Sequence, residues 1–405
     1  MSKFVKLSSI AELTVGFVGT MAKHYEDEGI PFLRSLNIKP FKIISDDMKY
    51  VSAEFSNSLS KSILHKGDVV IVRTGIPGTC CVVPAEYDGC NCSDVVIVHP
   101  NTELVNPHYL AAYINFWGQR QIQNNKVGAI QQHFNVHSAE EMLIFLPDIT
   151  EQEKIAKTIV ALNGKIENNF SVCVELEAMA KTLYDYWFTQ FDFPDENGKP
   201  YCSSGGEMVW NDQLKRKIPK GWSAGQLSDI ANITMGQSPS GDTYNENGSG
   251  TIFYQGCTDF GTRFPVPRVY TSAPTRFAKA GDILMSVRAP VGTLNIAMED
   301  CCIGRGLAAL NSKFGSQLHL LYTLSGFKQL FDVMDGNGTT FGSITKDTLF
   351  EMKVVIPRRD QIKSFEEMVQ PIEQKIRVAE QENRELTKLR DWLLPVLMNG
   401  QATVE

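Results

Sequence analysis

Stretches from the first half of this chain return in the second half in the same order, and a chain written twice has few architectures open to it. Lys6-Leu-Ser-Ser-Ile-Ala11 recurs as Gln226-Leu-Ser-Asp-Ile-Ala231. Gly67-Asp-Val-Val-Ile-Val-Arg-Thr-Gly-Ile-Pro-Gly-Thr79 recurs as Gly281-Asp-Ile-Leu-Met-Ser-Val-Arg-Ala-Pro-Val-Gly-Thr293, with Gly-Asp preceding Gly-Thr by the same interval in both. Leu143-Ile-Phe-Leu-Pro147 returns as Lys353-Val-Val-Ile-Pro357, and after a short turn each is followed by a glutamine and a long helical pattern. The order is β-rich segment, helix, β-rich segment, helix.

Apolar runs at 69–73, 95–98, 283–287 and 354–356, separated by Gly, Pro and Asn, predict strands in each β-rich half. Shorter helices are expected over 109–117, beginning near Pro107, and over 318–333. The expected domains are 1–150 and 193–357, the latter including a linker, with long helices at 151–192 and 358–405.

The long helices carry one apolar stripe each. Ile155, Ile159, Leu162, Ile166, Asn169, Cys173, Leu176, Ala180, Leu183 and Trp187 alternate four- and three-residue steps, the seam of a coiled coil. In the second copy the seam runs through Ile362, Phe365, Val369, Ile372, Ile376, Ala379, Asn383, Leu386, then Leu389 or Arg390, Leu393 and Leu397. Two stripes of similar length in one chain are satisfied most simply by packing antiparallel. The fold class expected is therefore α+β: two mixed globular domains, related by an internal pseudo-two-fold repeat and separated by a helix pair. At about 1.5 Å per residue, such helices reach roughly 45–60 Å. Pro371 predicts a kink or a break in the second helix. Asn169 and Asn383 fall on seam positions and are expected near one another, fixing register.

Length and composition agree with a globular chain: 405 residues, 43% apolar and 21% charged, with no apolar run near the roughly 20 residues of a membrane span. No secretory signal is visible near the N-terminus, so a cytoplasmic location is expected. Nine cysteines read as reduced thiols. Cys80, Cys81, Cys90 and Cys92 lack paired Cys-x-x-Cys spacing and read as small buried hydrophobes, with no metal expected. A net charge of −7 argues against a simple nucleic-acid coater. The one notable basic run, Arg263, Arg268, Arg276 and Lys279, lies between Asp259 and Asp282.

Catalytic signatures are missing. Asn106-Pro-His-Tyr109 is similar to the loop with which amino-methyltransferases hold a flipped adenine, but no glycine-rich cofactor loop precedes it. Asn106 reads instead as the cap of a helix with Pro107 in its first turn. Neither Gly-Lys pair, at Gly164 and Gly198, sits in a phosphate loop. Pro147-Asp148 and Pro194-Asp195 are not followed by the acidic and lysine residues of a nuclease motif, and seven histidines scatter without metal spacing.

Added to the repeats, Gln255-Gly-Cys-Thr-Asp-Phe-Gly261, Ser286-Val-Arg-Ala-Pro-Val-Gly292, Cys301-Cys-Ile-Gly-Arg-Gly306 and Leu393-Leu-Pro-Val-Leu-Met-Asn-Gly-Gln401 make the whole chain resemble the specificity subunit of type I restriction-modification systems, a bacterial defence. The resemblance implies two target-recognition domains, each reading one half of a bipartite, asymmetric site in double-stranded DNA, with the helices setting the gap. It further implies two methyltransferase subunits docked on this chain, and restriction subunits that translocate and cut. S-adenosylmethionine, ATP and Mg would belong to those partners, leaving this chain without cofactor or catalytic centre. Polar and basic residues in glycine- and proline-punctuated loops are the candidates for DNA contact. In the first domain they are Arg34, Lys39, Lys42, Arg73, Gln131, Gln132 and His133; in the second, Gln255, Arg263, Arg268, Arg276, Arg288 and Arg305. The alternative expectation is a coiled-coil adaptor with no DNA readout of its own.

Overall fold

In the computed structural model, which describes residues 3–118, 121, 134–336 and 342–402, both copies of the Gly-Asp to Gly-Thr segment fold into the same hairpin. Gly67 and Gly281 turn the chain at φ 95° and 90°, a region that only glycine enters without strain. Asp68 and Asp282 then accept the backbone N–H of His65 (2.7 Å) and Lys279 (2.8 Å). The other carboxylate oxygen reaches a neighbouring strand, to His99 in the first copy and Asn311 in the second. The recurring Gly-Asp is thus a turn and its cap.

The apolar runs at 69–73, 95–98 and 283–287 become inner strands buried on both faces, whereas 354–356 lies in a two-stranded pairing. In the first copy the sheet order is Ala11–Val15, Val95–Pro100, Val69–Val72, Cys80–Val82, with every pairing antiparallel. The second repeats it with Ala231–Met235, Leu307–Ser312, Ile283–Ser286 and Leu294–Ile296. A smaller sheet accompanies each. Ile30–Leu33 pairs antiparallel with Lys49–Val51 and parallel with Asn91–Cys92. Thr251–Tyr254 pairs in the same way with Val269–Thr271 and Cys301–Ile303. Cys80, Cys81, Cys90 and Cys92 all lie in the first domain's cores, as the sequence predicts, and burial pushes the Cys90 thiol up to about 12.

A third pairing closes each copy, Lys3–Lys6 with Leu143–Leu146 and Ser223–Gln226 with Lys353–Ile356. The second strand of each pair feeds a long helix: Ile149–Tyr184, of 36 residues, and Arg359–Met398, of 40. The first continues into a wider turn at Asp185–Thr189. A hairpin of Met208–Asn211 and Arg216–Pro219 precedes the second copy.

The chain forms two compact units, one of residues 1–168 with 383–405 and one of residues 169–382. In the first, Asn383 Nδ2 donates to the Ile166 carbonyl (3.2 Å) and Arg390 Nη1 to Asn163 Oδ1 (3.0 Å). In the second, Asn169 Nδ2 donates to Glu382 (2.7 Å), and Cys173 Sγ lies 3.8 Å from the Ile376 carbonyl. Numbers rise on one helix as they fall on the other, so the pair is antiparallel in each unit. Ile155, Ile159 and Ile376 are buried, and Leu162, Ile166, Leu176, Leu183, Ile372, Leu386 and Leu393 half-buried, along the expected seam. Asn169 and Asn383 each bond across the seam of its own unit.

Pro371 lies inside one continuous helix, so of the two expected outcomes the break does not occur. It sits on the exposed side, as does Glu367, the residue whose carbonyl a proline at this place cannot serve as donor. Helix ends complete both cores. Ile155, Ala156 and Ile159 join Leu394, Leu397 and Met398 in the first; Ala180, Trp187 and Phe188 join Phe365 and Val369 in the second.

Candidate DNA-recognition junctions

Where the two sheets of each copy meet, the same backbone junction is built twice. Gly16 N donates to Val95 O (3.0 Å), Phe17 N to Cys92 O (2.8 Å) and Ser93 N to Leu33 O (2.9 Å). In the second copy Gly236 N donates to Leu307 O (2.9 Å), Gln237 N to Ile303 O (3.0 Å) and Gly304 N to Tyr254 O (2.8 Å). Glycine is required because a Cβ on Gly236 would stand 2.1 Å from the Gly304 carbonyl, and one on Gly16 2.9 Å from Cys92 Sγ.

The side chains on this common frame differ. In the second copy Ser238 Oγ meets the Gln255 amide (3.0–3.1 Å) and accepts the Arg305 N–H (3.2 Å). The Arg276 carbonyl accepts Ile303 N (2.9 Å), and Val287 N donates to Gly306 O (2.9 Å), which brings Arg288 alongside. Gln255, Arg276, Arg288 and Arg305 are all exposed. In the first copy Asp94 occupies the turn, with its side chain accepting the Thr74 hydroxyl and its carbonyl accepting Ser35 Oγ (2.7 Å). Arg34 is half-buried and bonded to Asp47 (2.9 Å). A groove of about 590 Å³ opens there, with Arg34, exposed Lys39, Thr74 and Asp94 in its walls. One junction offers three arginines and an amide; the other is acidic at its turn.

The remaining candidates lie elsewhere. Arg73 is half-buried, its Nε donating to the Phe134 carbonyl (3.2 Å). Arg268 is bound by Asp259 (2.8 Å) and Glu246 (3.2 Å). Gln131, Gln132 and His133 lie outside the described residues. Two basic residues expected to contact DNA instead face the helices. Arg263 is only 3% exposed, with its guanidinium 3.5 Å from Glu177, 3.7 Å from Glu373 and 3.3 Å from the Tyr322 hydroxyl. Burial works against that charge, but Glu373 and then Glu177 more than offset it. Lys42 Nζ lies 2.8 and 3.0 Å from the two carboxylate oxygens of Glu167. Arg263 in its loop and Lys42 in the short strand Lys42–Ile43 are thus both paired with carboxylates of the long helices. Asp94, Thr74 and Ser238 were not singled out by sequence; Thr74 lies inside the repeated Gly67–Thr79 segment, and Asp94 directly precedes the apolar run at 95–98.

Asn106 accepts the backbone N–H of His108 (2.9 Å) and Tyr109 (3.2 Å) at the start of helix Pro107–Tyr113, the capping role expected of it. Among the described residues no group of three or more His, Cys, Asp or Glu comes together as a metal site, and no helix is long and apolar enough to cross a membrane.

Twin junctions with different side chains, one in each unit, mark a duplicated protein. The sequence profile described as "Type I restriction modification DNA specificity domain" matches residues 2–177 and again 219–388, and the chain belongs to that family. It is 29% identical over 399 residues to a Methanocaldococcus jannaschii protein provisionally named the MjaX type I restriction enzyme specificity subunit, spanning 96% of this chain and 91% of that one. Identity to the HindI type I restriction enzyme specificity subunit of Haemophilus influenzae is 23% over 423 residues, 87% of this chain and 91% of that one. The solved S subunit of a type I restriction-modification system from M. genitalium shares the fold, with a TM-score of 0.57 at 15% identity over 98% of this chain and 96% of that one.

Proposed function

We propose that this chain is the non-catalytic addressing subunit of its complex, each recognition domain reading one half of a bipartite, asymmetric DNA site through its junction. The observation that carries the reading is the identity of the two backbone junctions combined with the difference in their side chains. A shared frame meets the duplex in the same way twice, while arginine reads guanine and amides read adenine in the major groove. Unlike junctions then select unlike half-sites. In this reading the antiparallel helices set the gap between the half-sites and dock two methyltransferase subunits, which bind S-adenosylmethionine and methylate adenine. Restriction subunits bring ATP- and Mg-dependent translocation and cleavage, and the assembly works in the cytoplasm.

The test is co-expression with the methyltransferase subunit and genome-wide mapping of methylated adenine, before and after the first domain is exchanged for that of a relative. Modification at a two-part site, of which only one part changes on exchange, is expected. Modification that ignores the exchange would overturn the reading in favour of an adaptor.

A further inference from the structure

Both recognition domains are fastened to the helices by the same pair of contacts. In the first unit Phe41 lies under the Arg390 guanidinium (5.3 Å) while Lys42 pairs with Glu167. In the second, Phe264 lies under Arg377 (5.1 Å) while Arg263 pairs with Glu177 and Glu373. Each time the domain offers a cation and an adjacent phenylalanine; the central helix answers with a glutamate and the C-terminal helix with an arginine over the ring. Arg390 also donates to Asn163, so that one side chain ties domain, central helix and C-terminal helix.

Stability alone is a poor reason for the second clamp. Arg263 Nε and both Glu373 carboxylate oxygens are buried without a hydrogen-bond partner, and apolar residues of similar volume commonly do as well or better than such a pair. What charges in fixed places supply is direction: an ion pair and a cation over a ring face are satisfied at few angles between domain and helix. We infer that the Phe41/Lys42 and Arg263/Phe264 clamps hold each recognition domain at a set angle on the helices, and that Arg263 is a positioning residue for the gap accepted between half-sites. This inference rests on the two-domain reading above.

The experiment measures methylation by the complete complex on duplexes carrying both half-sites at the native gap and at one base pair more or less. Arg263→Met should lower the preference for the native gap about tenfold, which corresponds to roughly 1.4 kcal/mol of positional discrimination, while Arg263→Lys keeps part of it. If Arg263→Met fails to assemble, Lys42→Met gives the same reading at a half-exposed pair. In parallel, spin labels on Ser272 and Gln374, in a chain with Cys202 and Cys257 replaced by serine, report the domain-to-helix distance without DNA. A broadened distribution in Arg263→Met is expected. Wild-type gap preference in a variant that methylates, or a distribution as narrow as the parent's, would overturn the inference. A parent complex that ignores half-sites altogether would instead sink the two-domain reading and leave the clamp to be judged on the distances.

Discussion

Arg263 Nε and a carboxylate oxygen of Glu373 face one another at 3.7 Å with their side chains 4% and 7% exposed. Burial pushes the Glu373 carboxyl above its ordinary range, although Arg263 and Arg377 pull the other way. Removing Arg263 takes away the larger of the two cationic influences on this buried carboxylate and leaves only Arg377. Arg263→Ala should therefore cost about 3 kcal/mol in urea unfolding at pH 8. A carboxyl raised in the folded state is relieved by protonation, so the loss should be smaller at pH 5. An equal loss at both pH values would show that packing, not charge, dominates.

His319 lies between Tyr184 and Phe188, and burial lowers its imidazole to about 3. Below the unfolded value near 6.5 the unfolded chain takes up a proton that the folded chain refuses. Stability should fall as pH drops from about 6.5 towards 3, by up to roughly 1.4 kcal/mol per pH unit from this group. His319→Phe should flatten that limb in unfolding measured at pH 7, 5.5 and 4.5.

His99 behaves oppositely. Its hydrogen bond to Asp68 raises the imidazole above 6.5 against the lowering effect of burial. The stabilisation is fully present below the unfolded value and is lost as pH rises through the folded one. Asn311 holds the matching position in the second copy. His99→Asn should keep the contact and erase this pH dependence, as a stability difference between the two proteins that shrinks from pH 5.5 to pH 8.

Arg305 and Gln255 stand on the second junction. Arg305→Ala should weaken binding of the complex to its own site by about 5- to 150-fold, with little change on unrelated DNA. If specific and non-specific binding weaken together, Arg305 serves phosphate instead of bases.

Gly236→Ala places a methyl group 2.1 Å from the Gly304 carbonyl, which is backbone and cannot swing aside. A loss of roughly 1–3 kcal/mol is expected, larger than for Gly16→Ala, whose nearest obstacles, Cys92 Sγ at 2.9 Å and the Cys92 carbonyl at 3.0 Å, stand further off. Thermal unfolding of the two variants decides it.

The duplication, the strands and the helix seam were legible in the sequence because each rests on spacing, and spacing survives folding. The fate of individual charges was not. A basic residue in a glycine- and proline-rich loop looks the same whether the loop faces a duplex or folds back on a helix; Arg263 and Lys42 do the second, Arg305 and Arg288 remain exposed. The junctions themselves are made of backbone hydrogen bonds, which a list of side chains does not print; aligning the two copies past Gly16 and Gly236 is the nearest a sequence comes to them.

The first domain's core is closed by Leu394, Leu397 and Met398. On the ribosome, residues 169–382 can therefore be in place before the domain made first has its last wall, so the earliest part of this chain to be synthesised is the last to mature. A frameshift near residue 385 would spare every residue of the second unit and still leave the first one open.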